Sequence, residues 1–277
     1  APYRYRVLAP FVGEALRRAL GAARPDGQAF LASYALYDLA AIFFMLGALF
    51  AYLRTWFSRE RSLVGVLFTA ATMTVALRDH GFQPWSLLEA GFLAAGFLCI
   101  HRRRHVLLAL VVLASSLNRE TAIFIPLAFL AVNAGTGAAA GPDALSPRRT
   151  LLVFAGLAGV WAFVFFGLQI VLGNARSVET IPGLLARNTA PAVLLRAVLR
   201  ASLLFGVFWA FAIAGFGRAP RFVRRTALIV PLYLVAILLW GMWHEVRLLM
   251  PLYPAVVPLA LAFVFRGGEE GAAPASP

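Results

Sequence analysis

His105–Asn133 reads HVLLALVVLASSL, then Asn118-Arg119-Glu120, then TAIFIPLAFLAVN. Two apolar runs flank a polar triplet that carries both signs of charge. At 1.5 Å rise per residue each run is about 20 Å long, short of the ~30 Å hydrocarbon core of a bilayer. A charge at the bilayer centre costs about 3 kcal/mol or more, so an ionisable group there is a functional-site hypothesis by default. Arg119 and Glu120 must pair, face a wet cavity or sit at a membrane surface. Two readings stand at this point. The triplet is a plain loop between short helices, or it is a polar site at the membrane edge whose walls the rest of the chain builds.

Composition decides the solvent. Of 277 residues, 61% are hydrophobic and 13% are charged, and mean hydropathy is +0.81. Soluble domains run at roughly 45–50% and 25%. The expectation is an all-α, polytopic transmembrane helical bundle. Net charge is +13, and every basic residue is Arg. With no Lys, Schiff-base and amine-nucleophile chemistry are excluded. In a soluble chain such basicity points to nucleic acid. Here the Arg residues cluster between apolar runs, which is the pattern of membrane topology. Cys99 is the single cysteine, so no intrachain disulfide or cysteine metal cluster forms.

Along the chain, apolar positions from Val7 to Leu20 fall on one helical face, with Glu14, Arg17 and Arg18 opposite. That segment is too short and charged to span. It predicts an amphipathic helix in the interface plane, with residues 1–27 as interfacial helix and loop. About nine membrane segments follow: 31–53, 63–77, 87–100, 105–117, 121–133, 151–172, 197–216, 227–240 and 248–265. One domain covers 1–266, and the Gly/Ala/Pro tail 267–277 reads as disordered. No signal peptide is visible before Ala1-Pro2-Tyr3.

Alternating the nine runs puts Arg54–Arg61, His101–His105, Gly135–Arg149, Arg218–Arg225 and Arg266 on one side. Its Arg excess makes that side cytoplasmic. The other side receives the N-terminal helix, Asp79-His80, Asn118-Arg119-Glu120, Gly173–Leu195 and His244-Glu245-Val246-Arg247. Those loops mix acids, bases and amides beside Trp85 and Trp243, which topology does not require. They predict one polar site on the external face.

Within it, Arg119 suits a phosphate because its planar fork donates bidentate hydrogen bonds. Glu120 is either a base, an orienting group or the neutraliser of Arg119. His244, Glu245 and Arg247 carry the same alternatives. Asp79 and His80 read as an acid/base pair, as metal ligands or as a helix end. Tyr3, Arg4 and Arg6 fit anionic lipid headgroups. No spacing is metal-specific, and no HExxH, nucleophile elbow, P-loop or GxGxxG occurs. Asp38 and Glu89 stand near helix ends, which counts against a proton carrier.

The segments PYRYRVLAPF, LNRETAIFIPLAFL and HEVRLLMPLYPAVVPLALA, in that order, resemble the polytopic bacterial glycosyltransferases of the GT-C class. The nearest matches are Glu245, Arg247, Pro251, Leu252 and Pro254, and the Asn118-Arg119-Glu120-Thr121 turn. The resemblance implies inverting transfer of a sugar from a polyprenyl-phosphate donor to an acceptor at the external face of a bacterial inner membrane. The chain's own motifs give no cofactor and leave a divalent metal open. Arg119 and Arg247 would stabilise the leaving phosphate, with His80, His244, Asn118, Arg4 and Arg6 as further binding candidates. Asp79, Glu120 or Glu245 would deprotonate or orient the acceptor. Such proteins usually begin with a transmembrane helix and an acidic first external loop. Neither precedes Tyr3, so the expectation is an N-terminally truncated chain. The rival class is a non-enzymatic flippase-like carrier of lipid-linked substrates, or a membrane scaffold.

Overall fold

The computed structural model describes residues 6–21, 26–77, 85–134, 145–173, 180–243 and 245–265. Among them every regular element is helical. In chain order these are α1 Leu8–Gly21, α2 Asp26–Leu53, α3 Arg59–Leu77, α4 Trp85–His101, α5 His105–Asn118, α6 Phe124–Asn133 and α7 Pro147–Leu172. Then come α8 Ile181–Thr189, α9 Pro191–Phe205, α10 Phe208–Gly215, α11 Arg221–Thr226, α12 Ile229–Trp240 and α13 Tyr253–Val264. Short 3₁₀ turns, Glu120–Ile123 and Val246–Leu252, lead into α6 and α13.

Helices lie over each of the nine apolar runs. Four stretches are long and apolar enough to cross a membrane: Gly27–Leu53, Pro147–Leu172, Arg221–Trp240 and Val246–Val264. α8 and α9 reach the same length and apolarity only when taken together, across a bend of 73°. The chain is therefore a helical, integral-membrane type of protein. Apolar residues run all round these helices, as a membrane span demands. α13 is almost wholly enclosed, whereas α7 leaves Phe163, Ile170 and Val171 exposed.

Helix ends follow local chemistry. Ser146 caps α7 by accepting from the Arg149 amide at 3.4 Å, and Pro147 takes the first helical position. Pro there loses no needed donor. Gly206, at φ 51°, breaks the α9–α10 run. Arg103 adopts a positive φ of 55° in the tight turn after α4. The Arg104 amide there reaches back to the Cys99 carbonyl at 3.0 Å, a Schellman-type stop normally given to Gly.

Two ends can be told apart. The His105 ring packs on Phe129 at 5.9 Å, so α5 and α6 run antiparallel and the Arg119 turn lies far from His105. Near His105, Trp56, His101 and Phe222 meet at 4.5–5.6 Å. The Arg225 guanidinium donates to the Val132 carbonyl at 2.6 Å. Arg61 and Arg218 lie over Phe265 and Phe263. Of the segments expected on the Arg-rich side, Arg54–Arg61, His101–His105 and Arg218–Arg225 thus share one end of the bundle, while 135–144 and Arg266 lie outside the described residues.

Close packing relies on small residues, which let membrane helices approach. A Cβ on Gly215 would stand 2.1 Å from the Leu259 carbonyl oxygen, so α10 and α13 touch backbone to backbone. Gly91 of α4 leaves room for the Phe44 ring of α2, which a Cβ there would meet at 2.6 Å. α1 packs on the first half of α2, with Gly13 against Tyr34. On its outer face Glu14 accepts from Arg17 and Arg18. These hydrogen bonds draw its carboxyl down to about 2.

Candidate functional site

Five elements deliver polar groups to one place. α5 ends at Asn118 because Arg119 turns extended, at φ −162° and ψ 147°. The chain then reverses through Glu120–Ile123. α4 brings Glu89 from its first turns, α12 brings Tyr233, and the segment before α1 brings Arg6.

Glu89 is the hub. One of its carboxylate oxygens accepts from Arg119 Nη1. The other accepts from Thr121 Oγ1 and from Tyr233 Oη, the latter at 2.8 Å. Glu120 makes a second, bidentate pair: Arg6 Nη2 donates to it at 2.6 Å and Arg6 Nε at 3.2 Å. Arg6 also lies 5.3 Å over the Trp85 ring. The Val7 amide donates to the Leu117 carbonyl at 3.0 Å, pinning the segment. Trp161 Nε1 holds the Glu120 carbonyl at 2.8 Å, and Asn118 Nδ2 holds the Trp85 carbonyl at 2.9 Å.

Arg6, Glu120, Arg119 and Glu89 alternate in sign, so two guanidiniums balance two carboxylates. Burial is uneven. The Arg6, Arg119 and Glu89 side chains are 8%, 7% and 2% exposed, whereas Glu120 is 41% exposed. Burial first, then the like charge of Arg119, draws the Arg6 guanidinium below its ordinary value, and Glu120 pulls it back up. Some hydrogen-bonding capacity is unused. Ser86 Oγ, Asn118 Oδ1 and Arg119 Nε are buried with no partner among the described residues.

Helix geometry locates the cluster within the bundle. Glu89 stands twelve residues before His101, Arg119 fourteen after His105, and Tyr233 twelve after Arg221. At 1.5 Å per residue these are about 18, 21 and 18 Å from the Arg-rich end. Arg247 lies on the 3₁₀ turn before α13. Six residues at about 2 Å and eleven at 1.5 Å put it about 28 Å from Val264. It pairs with its own Glu245 at 2.5 Å, and its Nη1 has no partner among the described residues. The two turns therefore share an end of the bundle but differ in depth. Arg4, Asp79, His80 and His244 lie outside the described residues, as do Tyr3 and the tail.

Of the residues singled out from sequence, Arg6, Asn118, Arg119 and Glu120 come together. Glu245 and Arg247 form a separate pair. Glu89, Thr121 and Tyr233 were not foreseen in this role. A signal for Glu89 was present: a carboxylate inside an apolar helix, as far from the Arg102–Arg104 turn as Arg119 is. Beyond this end, Asn188 of α8 is fully buried. It donates to the Leu238 and Gly241 carbonyls at 2.9 Å each and accepts from the Trp243 amide at 3.2 Å, closing the end of α12. Among the described residues no three His, Cys, Asp or Glu side chains gather as a metal site.

The fold and the site define a helical membrane protein with a buried, charge-balanced polar cluster near one end. Comparison with protein-family models, curated proteins and solved structures returns no match.

Proposed function

We propose that this chain is a polytopic membrane transferase of the GT-C type. It moves a sugar from a polyprenyl-phosphate donor to an acceptor at the side opposite the Arg-rich, cytoplasmic one. The apolar runs all enter the membrane, the two around the Arg119 turn reversing within it and the others crossing; α1 lies in the outer interface, and the membrane is a bacterial inner one. The observation that supports the reading is Glu120: an accessible carboxylate backed by buried arginines inside an apolar bundle. With a hydrocarbon core of ~30 Å, the cluster lies roughly 10 Å beneath the outer surface. This is deeper than the membrane edge. Such a depth suits a phosphate that arrives on an apolar tail and enters sideways between helices.

In this reading Glu120 takes the acceptor proton, as a positioned carboxylate does. Arg119 and Arg247 stabilise charge on the departing phosphate. Asp79, His80, His244 and Arg4 keep the roles that the resemblance implies. The test feeds reconstituted protein a radiolabelled polyprenyl-phosphate sugar. Label should leave the lipid extract with wild type and stay there with Glu120→Gln of unchanged elution profile. If label stays with wild type across several sugars, the transferase reading fails.

A second reading has its own observation. Each carboxylate of the cluster is already held by an arginine, as in a purely structural lock. That favours a non-enzymatic lipid-linked-substrate carrier or scaffold, and retained label with wild type supports it.

A further inference from the structure

We propose that Arg6 is an exchangeable clamp. A lipid-borne phosphate binds it by displacing the Glu120 carboxylate, and so frees Glu120 to act as the base. This rests on the transferase reading above and names how its site is switched on.

The cluster is balanced as it stands, so an entering phosphate must either remain unpaired or take over a cation already in use. Leaving a charge unpaired in a closed site costs several kcal/mol. Takeover is chemically simple. A phosphate presents its oxygens to a guanidinium fork in the same two-point geometry as a carboxylate.

Geometry then selects the cation. Arg119 faces Glu89, which is sealed from solvent and held by three donors, two on the Arg119 turn and one on α12. Neither can leave without unpairing the core. Arg6 faces Glu120, the one member with an open side. Arg6 sits on a non-helical segment fastened by the Val7–Leu117 bond and by the Trp85 ring. Its fork can change partners without unwinding a helix. Independent of charge, Asn118 Oδ1 and Arg119 Nε stay buried and unpartnered among the described residues, leaving hydrogen-bonding capacity beside the same turn.

The chemical step balances. Freed Glu120 accepts the proton of the acceptor hydroxyl. The acceptor oxygen bonds to the sugar's anomeric carbon, and the bond from that carbon to the phosphate oxygen breaks. The electron pair departs on the lipid phosphate, which Arg6 holds. Binding and base activation are thus one event, and Glu120 stays neutralised while no donor is present.

Carboxylate labelling tests the exchange on purified full chain. A water-soluble carbodiimide with glycinamide is applied, and modification is read by peptide mass spectrometry. Alone, the protein should show little modification at Glu120. Polyprenyl monophosphate should raise it several-fold, inorganic phosphate should raise it less, and phosphatidylcholine should leave it unchanged. Glu89 should stay unmodified throughout. Arg6→Gln should show high modification without ligand and no further rise. If native mass spectrometry shows polyprenyl monophosphate bound while Glu120 labelling holds or falls, the exchange is wrong and the transferase reading survives. If the protein retains that lipid no better than phosphatidylcholine, the reading fails and takes the exchange with it. Should Arg6→Gln not fold, the wild-type arms decide alone.

Discussion

At the scale of single residues, the Glu89–Arg119 pair carries the clearest energetic consequence. Both groups are almost fully enclosed, and each is the other's main compensation. Removing one partner of a buried pair costs about 3–5 kcal/mol, because the survivor is left charged and unsolvated. Glu89→Gln and Arg119→Met should each lower the melting temperature in detergent by several degrees. The double variant should recover much of the loss, since both charges are then gone. If the single variants melt like wild type, the pair is not holding the core. The same pair marks a limit of reading residues one at a time. Glu89 near the start of an apolar run looks like a helix-end group. Only its register opposite Arg119 across the α4–α5 turn makes it the counter-ion. Arg119 and Glu120, neighbours in sequence, look like partners for each other. In the fold each binds an acid or base from elsewhere.

Between elements, contact geometry sets the tolerance for change. The Gly215 backbone meets the Leu259 carbonyl, and that oxygen cannot move aside without bending α13. Gly159 on α7 has open space around the same position. Gly215→Ala should therefore destabilise by about 1–3 kcal/mol, in the range of overpacked cores. Gly159→Ala should be neutral, or stabilising by up to about 1 kcal/mol through helix propensity. Thermal unfolding of the two variants in the same micelle checks the contrast, and equal melting temperatures would refute it. Most helix positions were legible from run length, Pro and Gly. The bend between α8 and α9 was not. The sequence there reads as one polar, irregular segment, and Asn188 becomes structural only when the end of α12 stands next to it.

For the whole molecule, sidedness is the property on which the proposed function depends. The arginine-bearing turns after α2 and α4 meet α11 at one end, and the Arg119 and Arg247 turns lie toward the other. In a Cys99→Ala background, Leu185→Cys should react with a membrane-impermeant maleimide on intact cells. Arg103→Cys should react only after the cells are opened. Labelling of both from the same side would break the alternating arrangement, and the proposed site with it.

The sequence by itself determined the helical membrane class, the Arg-biased end and the turn at Arg119 as a charged centre. Each depends on quantities that run along a line: apolar length, spacing and the placement of like charges. Only the tertiary structure decided which acid neutralises which arginine, how far the cluster stands from the Arg-rich end and that Glu120 is its open member. The pairing residues are 30 and 114 positions apart. Their meeting depends on the relative register of packed helices, and the apolar runs leave that register free.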